Sequence, residues 1–390
     1  MSAEAPRAGR ISGLDGLRAY AVLLTFCVHF FGPFAARHAH AAGGPWPYAS
    51  VSDGWSQFLQ WMSLSFYGVH LFFIISGYII AKRILAAREG FHYSSFLAGR
   101  VWRIYPAFLF ALVFSVAALR IQDPAFTIDW RRVFINLAFL NGAGPLITEG
   151  YNAVTWSLFW EWCFYLLIPL PVMLGWRAKS GPLAPVALSF ALAIGAVALL
   201  EGRYWHYVYF FFAGTIGALC QPAIARALAP IPDAVALAAF VAVTSSLGTL
   251  VPMPTLDPAS NRWVASWRFD LFDFAFGIVG LVLLFKCSFG GGWLHRLASA
   301  RFPAFLGRIS YSLFLLHAVV IALYFNTALC GLVPVPGHGT RRLAFDFTLC
   351  FGASLAMAWA SYHWLERPYL EAKSRRAPLP PEPDLGQNAG

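Results

Sequence analysis

Long apolar runs alternate along the chain with short polar, Gly- and Pro-containing stretches. A helix needs about 20 mostly apolar residues to cross the hydrocarbon core of a bilayer. Ten runs meet that demand: Leu14–Phe34, Leu64–Ala81, Ile104–Leu119, Trp156–Leu174, Leu183–Leu200, Tyr204–Cys220, Ala234–Val251, Leu271–Phe285, Ile309–Cys330 and Leu343–Trp364. The stretch Arg132–Asn141 is apolar but too short, and it is read as interfacial or re-entrant. The expected fold is an all-α, polytopic membrane protein of about ten transmembrane helices. An even number of spans puts both termini on one side. That side carries about twice as many Lys and Arg as the other, which makes both termini cytoplasmic by the positive-inside rule. The longer loops, 37–61, 121–155 and 252–268, fall on the far side. The chain divides into a cytoplasmic N-terminal segment (1–10), one transmembrane domain (11–370) and a disordered cytoplasmic tail (371–390), rich in Pro, Gly and Asn from Ala377 on. No internal repeat and no removable signal peptide is read.

Composition supports the membrane reading. Of the 390 residues, 59% are hydrophobic and only 12% charged, against about 25% charged in a soluble domain. The net charge of +10 fits basic membrane-flanking loops and gives no reason to expect nucleic acid. The six cysteines sit singly in or at the ends of apolar runs. No disulfide framework and no metal site follows from that spacing.

Ionisable residues within spans are costly, so each is a functional candidate. Arg18 and His29 in the first span are eleven positions apart, three helical turns plus about 20°. Both therefore lie on one face, about 16 Å apart along the axis. An imidazole is largely neutral at pH 7 and can act as a general base. The alternative for His29 is a core histidine satisfied by a neighbouring helix, and for Arg18 a pairing with Asp15, three residues back. Arg100 and Arg103 share a face at i, i+3. They are either positive-inside anchors or a phosphate clamp, because forked guanidinium donors match phosphate oxygens.

Ser157, Glu161 and Tyr165, spaced i, i+4 and i+8, form a polar stripe that must face the bundle interior or a wet cavity. The tryptophans around them belong to an interfacial belt or stack on a sugar. Ser310 and His317, seven apart, with Tyr311 between them, present a second inward polar face. His317 is as readily an interhelical hydrogen bonder as a catalyst. His70 lies seven residues before Gly77, on the same face, and Ser76-Gly77 reads as a close helix approach. His206, Asp273, Asp346 and His363 lie near span ends, where interfacial water offers a simple account of them.

Six stretches together resemble the acyltransferase-3 family of multi-spanning membrane acyltransferases. They are Leu14-Asp15-Gly16-Leu17-Arg18-Ala19 with His29, Gly68–Tyr78, Arg100-x-x-Arg103-Ile104-Tyr105-Pro106, Trp156–Tyr165, Gly307–His317 and Leu365-Glu366-Arg367-Pro368. They occur in the family's order over about Ile11 to Leu370. The chain departs from the family's usual pattern in having His70 where an acid is common and Trp162 where a Glu often follows Glu161.

The resemblance implies transfer of an acyl group, usually acetyl, from cytoplasmic acyl-CoA to a hydroxyl of a glycan, lipid-linked sugar or related cell-envelope acceptor. The expected setting is the inner (plasma) membrane of a bacterium. Acyl-CoA is a co-substrate, and no permanently bound cofactor is expected. Some members carry a fused extracytoplasmic domain; this chain is expected to lack one and to transfer directly. His29, Arg18 and Glu161 are the expected catalytic residues, and Arg100, Arg103 and Arg18 the acyl-CoA-binding ones. Asp15, His70, Ser76, Ser157, Tyr165, Ser310, Tyr311 and His317 are expected to line the substrate tunnel. The rival reading is a transporter or exporter using buried His, Glu and Arg as a relay. The oligomeric state is left open.

Overall fold

The computed structural model describes residues 12–41, 54–87, 90–143, 146, 149–177, 181–201, 205–252, 255–257, 262–264, 266–332 and 340–376. The expected N-terminal segment 1–10 and the tail beyond Arg376 lie outside them. In chain order the helices are α1 (Ser12–Ala41), α2 (Gly54–Ser63), α3 (Gly68–Ala87), α4 (Tyr93–Gln122), α5 (Trp130–Leu137), α6 (Trp156–Leu167), α7 (Pro169–Arg177) and α8 (Leu183–Glu201). They continue with α9 (Trp205–Leu219), α10 (Gln221–Leu228), α11 (Asp233–Ser245), α12 (Trp267–Phe289), α13 (Trp293–Ala298), α14 (Arg301–Phe325), α15 (Leu329–Leu332), α16 (Thr340–Ser361) and α17 (Arg367–Arg376). A single π turn, Tyr362–Glu366, joins the last two. One small antiparallel pair, Thr255–Asp257 with Arg262–Val264, departs from the all-helical expectation.

Among the described residues, seven stretches are long and apolar enough to cross a membrane: Gly13–Pro33, Ser65–Ala87, Tyr93–Gln122, Trp156–Trp176, Trp267–Phe289, Arg301–Phe325 and Arg341–Ala372. An eighth is added if α9 and α10, bent by 92° at their junction, count as one broken span. The helices α8 and α11 are apolar but shorter. All ten expected runs are thus largely helical, while the length criterion alone counts seven or eight crossings. The helix of the third expected span, α4, starts at Tyr93, well before the expected Ile104, because Ser94, Ser95, Arg100 and Arg103 interrupt the apolar run of its first turns without breaking the helix. The last helix runs through Arg376, into the stretch expected to be disordered. The segment read as interfacial forms α5, whose first turn is capped by the Asp129 carboxylate accepting from the Arg131 amide at 2.8 Å.

Contacts fix the direction of each helix. Trp156 of α6 lies beside Tyr207 of α9 (5.0 Å between rings) and Phe164 beside Phe211 (4.5 Å). His70 of α3 lies beside His206 of α9 (5.6 Å), while Tyr78, two turns on, donates to Gln221 just past its end at 2.9 Å. Phe66 meets Phe269 at the start of α12, and Tyr78 meets Phe285 near its end. So α3, α6, α9 and α12 run the same way. Running the other way are α1, whose Gly13 backs onto Cys287 near the end of α12, and α14, which follows α1 from Asp15–Gly307 to His29–His317. Four glycines, Gly13, Gly16, Gly214 and Gly307, make the tightest backbone seams among the described residues. A Cβ on Gly307 would lie 1.8 Å from the Asp15 carbonyl oxygen, and one on Gly214 1.9 Å from that of Ile74. Small residues let membrane helices approach to backbone contact.

Candidate functional site

The expected polar stripe of α6 faces inward. Ser157, Glu161 and Tyr165 line one cavity with Ser76 of α3, Arg18 of α1, Arg100 and Arg103 of α4 and Tyr311 of α14. Eight of the thirteen residues singled out from the sequence therefore meet at one place. The cavity measures about 120 Å³. That is room for several waters or a short acyl group, well below the ~300–1,000 Å³ of pockets that bury a whole ligand. Its apolar wall includes Val69, Phe72, Phe73, Leu158 and Phe314.

Inside it the charges are arranged. Glu161 accepts from Ser76 Oγ at 3.2 Å and from the Tyr165 hydroxyl. Arg103 is paired with Glu366 in the π turn. Glu366 also accepts from Ser312 Oγ at 2.5 Å, and Ser312 reaches Ser361 Oγ at 2.8 Å. The Arg103 side chain keeps 19% of its surface exposed and Glu366 1%. Its guanidinium also lies over the Tyr311 ring, 5.5 Å from the centroid, while the Tyr311 hydroxyl donates to the Ile104 carbonyl at 3.0 Å. Arg100 is held differently, between the rings of Phe96 (5.2 Å) and Tyr165 (5.5 Å). Its buried Nε has no hydrogen-bond partner among the described residues. The two arginines thus separate: Arg103 is tied to a carboxylate, and Arg100 is positioned by cation–π contacts with donor capacity in hand.

His29 does not line this cavity. It pairs with the buried His317, Nδ1 to Nε2 at 3.2 Å. Its Nδ1 also faces the Thr25 carbonyl at 2.8 Å, and His317 Nδ1 faces the Leu313 carbonyl at 2.9 Å. A carbonyl oxygen only accepts, so both Nδ1 atoms carry the hydrogen when the rings are neutral. His317 Nε2 then accepts from His29, and the His29 lone pair rests on Nε2. Between the histidines and the cavity stands Phe314, which lines the cavity with its ring 6.2 Å from His317 and 5.7 Å from Phe72.

Three other expected tunnel residues lie off the cavity. Asp15 is buried where α1 touches α14. Ser310 is buried and donates to the Gly307 carbonyl at 2.9 Å. His70 joins His206 and Asp273 in a separate buried cluster. Interfacial water does not account for the span-end group as a whole. His206, Asp273 and Asp346 are all buried, and Asp346 is held by Arg342 (2.9 Å) and the Tyr324 hydroxyl (2.5 Å). The sequence reading did not assign Glu366 or Ser312 a place beside Arg103, although Glu366 stands in one of the quoted motifs. Their link is a contact between helix ends 263 positions apart, which no local spacing reports.

Comparison with known proteins adds the decisive observation. The sequence profile of the acyltransferase domain family matches residues 11–363. The chain belongs to this family. It is 23% identical to the O-acetyltransferase OatA of Staphylococcus aureus over 92% of its own length, and 23% identical to a putative O-acetyltransferase of the same species. It is also 28% identical over 196 residues to the acyltransferase MdmB of Streptomyces mycarofaciens, covering 46% of each. The chain spans 57% of the length of OatA. No solved structure matches. With the family and the apolar helices together, this is an integral membrane protein embedded in a lipid bilayer.

Proposed function

We propose that the chain is a membrane O-acyltransferase. It moves a short acyl group, acetyl in the first instance, from acyl-CoA to a hydroxyl of a glycan, lipid-linked sugar or other cell-envelope acceptor. The reading is carried by the convergence of Arg18, Arg100 and Arg103 with Glu161 on one cavity, next to a histidine whose Nε2 is left as the basic nitrogen. The O-acetyltransferase and acyltransferase names of relatives in Staphylococcus and Streptomyces support it, and point to a bacterial plasma membrane. The parallel run of α3, α6, α9 and α12 supports ten crossings, because α8 and α11 must each return the chain between parallel neighbours. Ten crossings put both termini on one side, and the Lys and Arg bias makes that side cytoplasmic.

In this reading the acyl-CoA phosphates sit at the arginines, Arg100 foremost, while the nucleotide stays outside the small cavity. The acyl thioester passes the Phe72–Phe314 constriction to reach His29. The acceptor oxygen attacks the thioester carbonyl as His29 Nε2 takes the hydroxyl proton. The carbon–sulfur bond breaks, the acyl group stays on the acceptor oxygen, and the leaving thiolate takes the proton from His29 Nε2, releasing free CoA. His317 fixes the His29 ring through its Nε2 acceptor, and Glu161 orients the acyl or sugar end through Ser76 and Tyr165.

The test is thiol release by purified protein in nanodiscs, given acetyl-CoA and a panel of hydroxylated acceptors, with transfer followed by mass spectrometry. Wild type should release CoA in step with acylated product. His29→Ala should lower transfer by about 10²–10⁴-fold, the usual weight of a general base. Wild-type transfer by His29→Ala would remove the mechanism. Substrate movement without any thiol release would favour a transporter.

A further inference from the structure

A second polar cluster lies inside the protein, off the arginine cavity. His70 of α3, His206 of α9 and Asp273 of α12 bring one ligating atom each to within 4.8 Å of one another. His206 Nδ1 lies 3.4 Å from Asp273 Oδ2, and His70 Nδ1 lies 4.0 Å from Asp273 Oδ1. Exposure is 2% for each histidine and nil for the aspartate. Aromatic rings wall the cluster: Phe210 stacks on His70 at 4.3 Å, Phe276 and Phe66 stand edge-on at 5.7 and 5.5 Å, and Tyr207 lies 4.2 Å from His206.

We propose that these three side chains bind a divalent transition-metal ion, zinc before others. Two imidazole nitrogens and one carboxylate oxygen are donors that zinc takes at ~2.0–2.2 Å in tetrahedral geometry. Such bonds hold neighbouring ligand atoms about 3.3 Å apart. The His206–Asp273 pair is already at that separation, and the other pairs, within 4.8 Å, draw in as the ion binds. The electrostatics agree. A carboxylate with no solvent contact among aromatic rings is costly unless a positive charge lies beside it, and a divalent ion between it and two neutral imidazoles supplies that charge directly. A single proton shared between the three side chains is the competing arrangement, and the experiment below separates the two.

The surroundings also say what kind of metal site this is. A hydrolytic centre keeps a position open to water; this one is closed by rings on its described sides, with the second carboxylate oxygen of Asp273 as fourth ligand. The ion is a clasp at the shared end of α3, α9 and α12. It acts on the cavity at one remove. Phe73, one turn beyond His70, lines the cavity, and its ring lies 5.6 Å from Tyr207. The three residues are positioning groups for the α3 wall. Cysteine spacing gave no metal site because the donors are two histidines and an aspartate on three distant helices.

The test does not depend on acyl transfer. Full-length protein purified in mild detergent without chelator is analysed for metals by mass spectrometry, as isolated and after incubation with zinc chloride and desalting. About one equivalent of zinc per chain is expected, falling below about a tenth in Asp273→Asn and in His206→Ala. In wild type, 1,10-phenanthroline should lower Tm and zinc should restore it. The cobalt(II) form should show the intense visible bands of a tetrahedral site. Less than about a tenth of an equivalent of any transition metal in wild type, before and after loading, would overturn the proposal. So would full metal content in folded variants, which would locate the ion elsewhere. If the variants do not fold, metal content and chelator response of wild type decide alone.

Discussion

Arg100 and Arg103 are one turn apart on one helix face and are alike in the sequence, yet the fold separates their tasks. Arg103 carries Glu366, so its loss leaves a nearly unexposed carboxylate without its ion pair. Such a break costs about 3–5 kcal/mol. Arg103→Ala should therefore lower the thermal midpoint in detergent, and Glu366→Gln should weaken the same junction by removing the opposite charge. Arg100 carries no carboxylate among its recorded contacts, so Arg100→Ala should leave Tm near wild type. Its loss should raise the KM for acetyl-CoA by about 10-fold or more, the weight of one charge-assisted bond to phosphate, with a smaller change in kcat. Equal loss of stability in both variants would show that Arg100 is an anchor. At this scale much of the site was legible. A 3.6-residue period alone put Ser157, Glu161 and Tyr165 on one inward face, and the face proved to be the cavity wall. The same period aligned Arg18 with His29, but could not show that Phe314 and Phe72 stand between their surroundings. It also could not show that His317 is the residue that holds His29.

Helices were legible wherever an apolar run was long, and their ends were legible only where composition changed sharply. The expected start at Ile104 follows hydropathy, but the α4 backbone continues back to Tyr93, because arginines are good helix formers and can extend toward the interface. Amphipathic helices that do not cross, such as α2 and α13, escaped a reading tuned to spans. The seams between helices were half legible: Gly77 and Gly307 stand in the quoted motifs, but which backbone each one meets is a matter of the assembled bundle. Gly307 sets the approach of α14 to α1, the two helices that carry His317 and His29. Gly307→Ala must push the helices apart, costing about 1–3 kcal/mol as overpacking does. The displacement should be felt at the histidine pair as well as in Tm. Reduced transfer in Gly307→Ala, with unchanged acetyl-CoA affinity, is the expected outcome. A variant with wild-type Tm would mean that the seam is not as tight as the backbone distance implies.

For the molecule as a whole, hydropathy length and helix direction give different answers about crossings. Length alone accepts seven helices or eight. Direction favours the ten crossings of the proposed topology, since a chain that runs the same way in α6, α9 and α12 has to return between each pair. Among the described residues between α10 and α12, the only helix that can bring it back is α11, of 13 residues. At 1.5 Å per residue that is about 20 Å, short of a ~30 Å hydrocarbon core. The bilayer can thin around such a helix or the flanking turns can complete it. This makes α11 the place to test the topology. Ala229, before α11, and Thr249, after it, are both exposed. Cysteines placed at these two positions, in a background with the six native cysteines removed, should react differently with a membrane-impermeant maleimide. Thr249→Cys should label in intact cells and Ala229→Cys only after permeabilisation, with Asp123→Cys and Ser94→Cys at the two ends of α4 behaving in the same respective ways. If Ala229→Cys and Thr249→Cys label alike while the α4 pair differs, α11 does not cross. The carboxyl-terminal helices would then be inverted relative to the bilayer, α14 could not run alongside α1, and the arginine cavity would lose the wall that Tyr311 and Phe314 supply. The parallel meeting of His29 and His317 is thus itself an argument for the proposed topology, in which the short helix crosses, and the labelling pattern decides it.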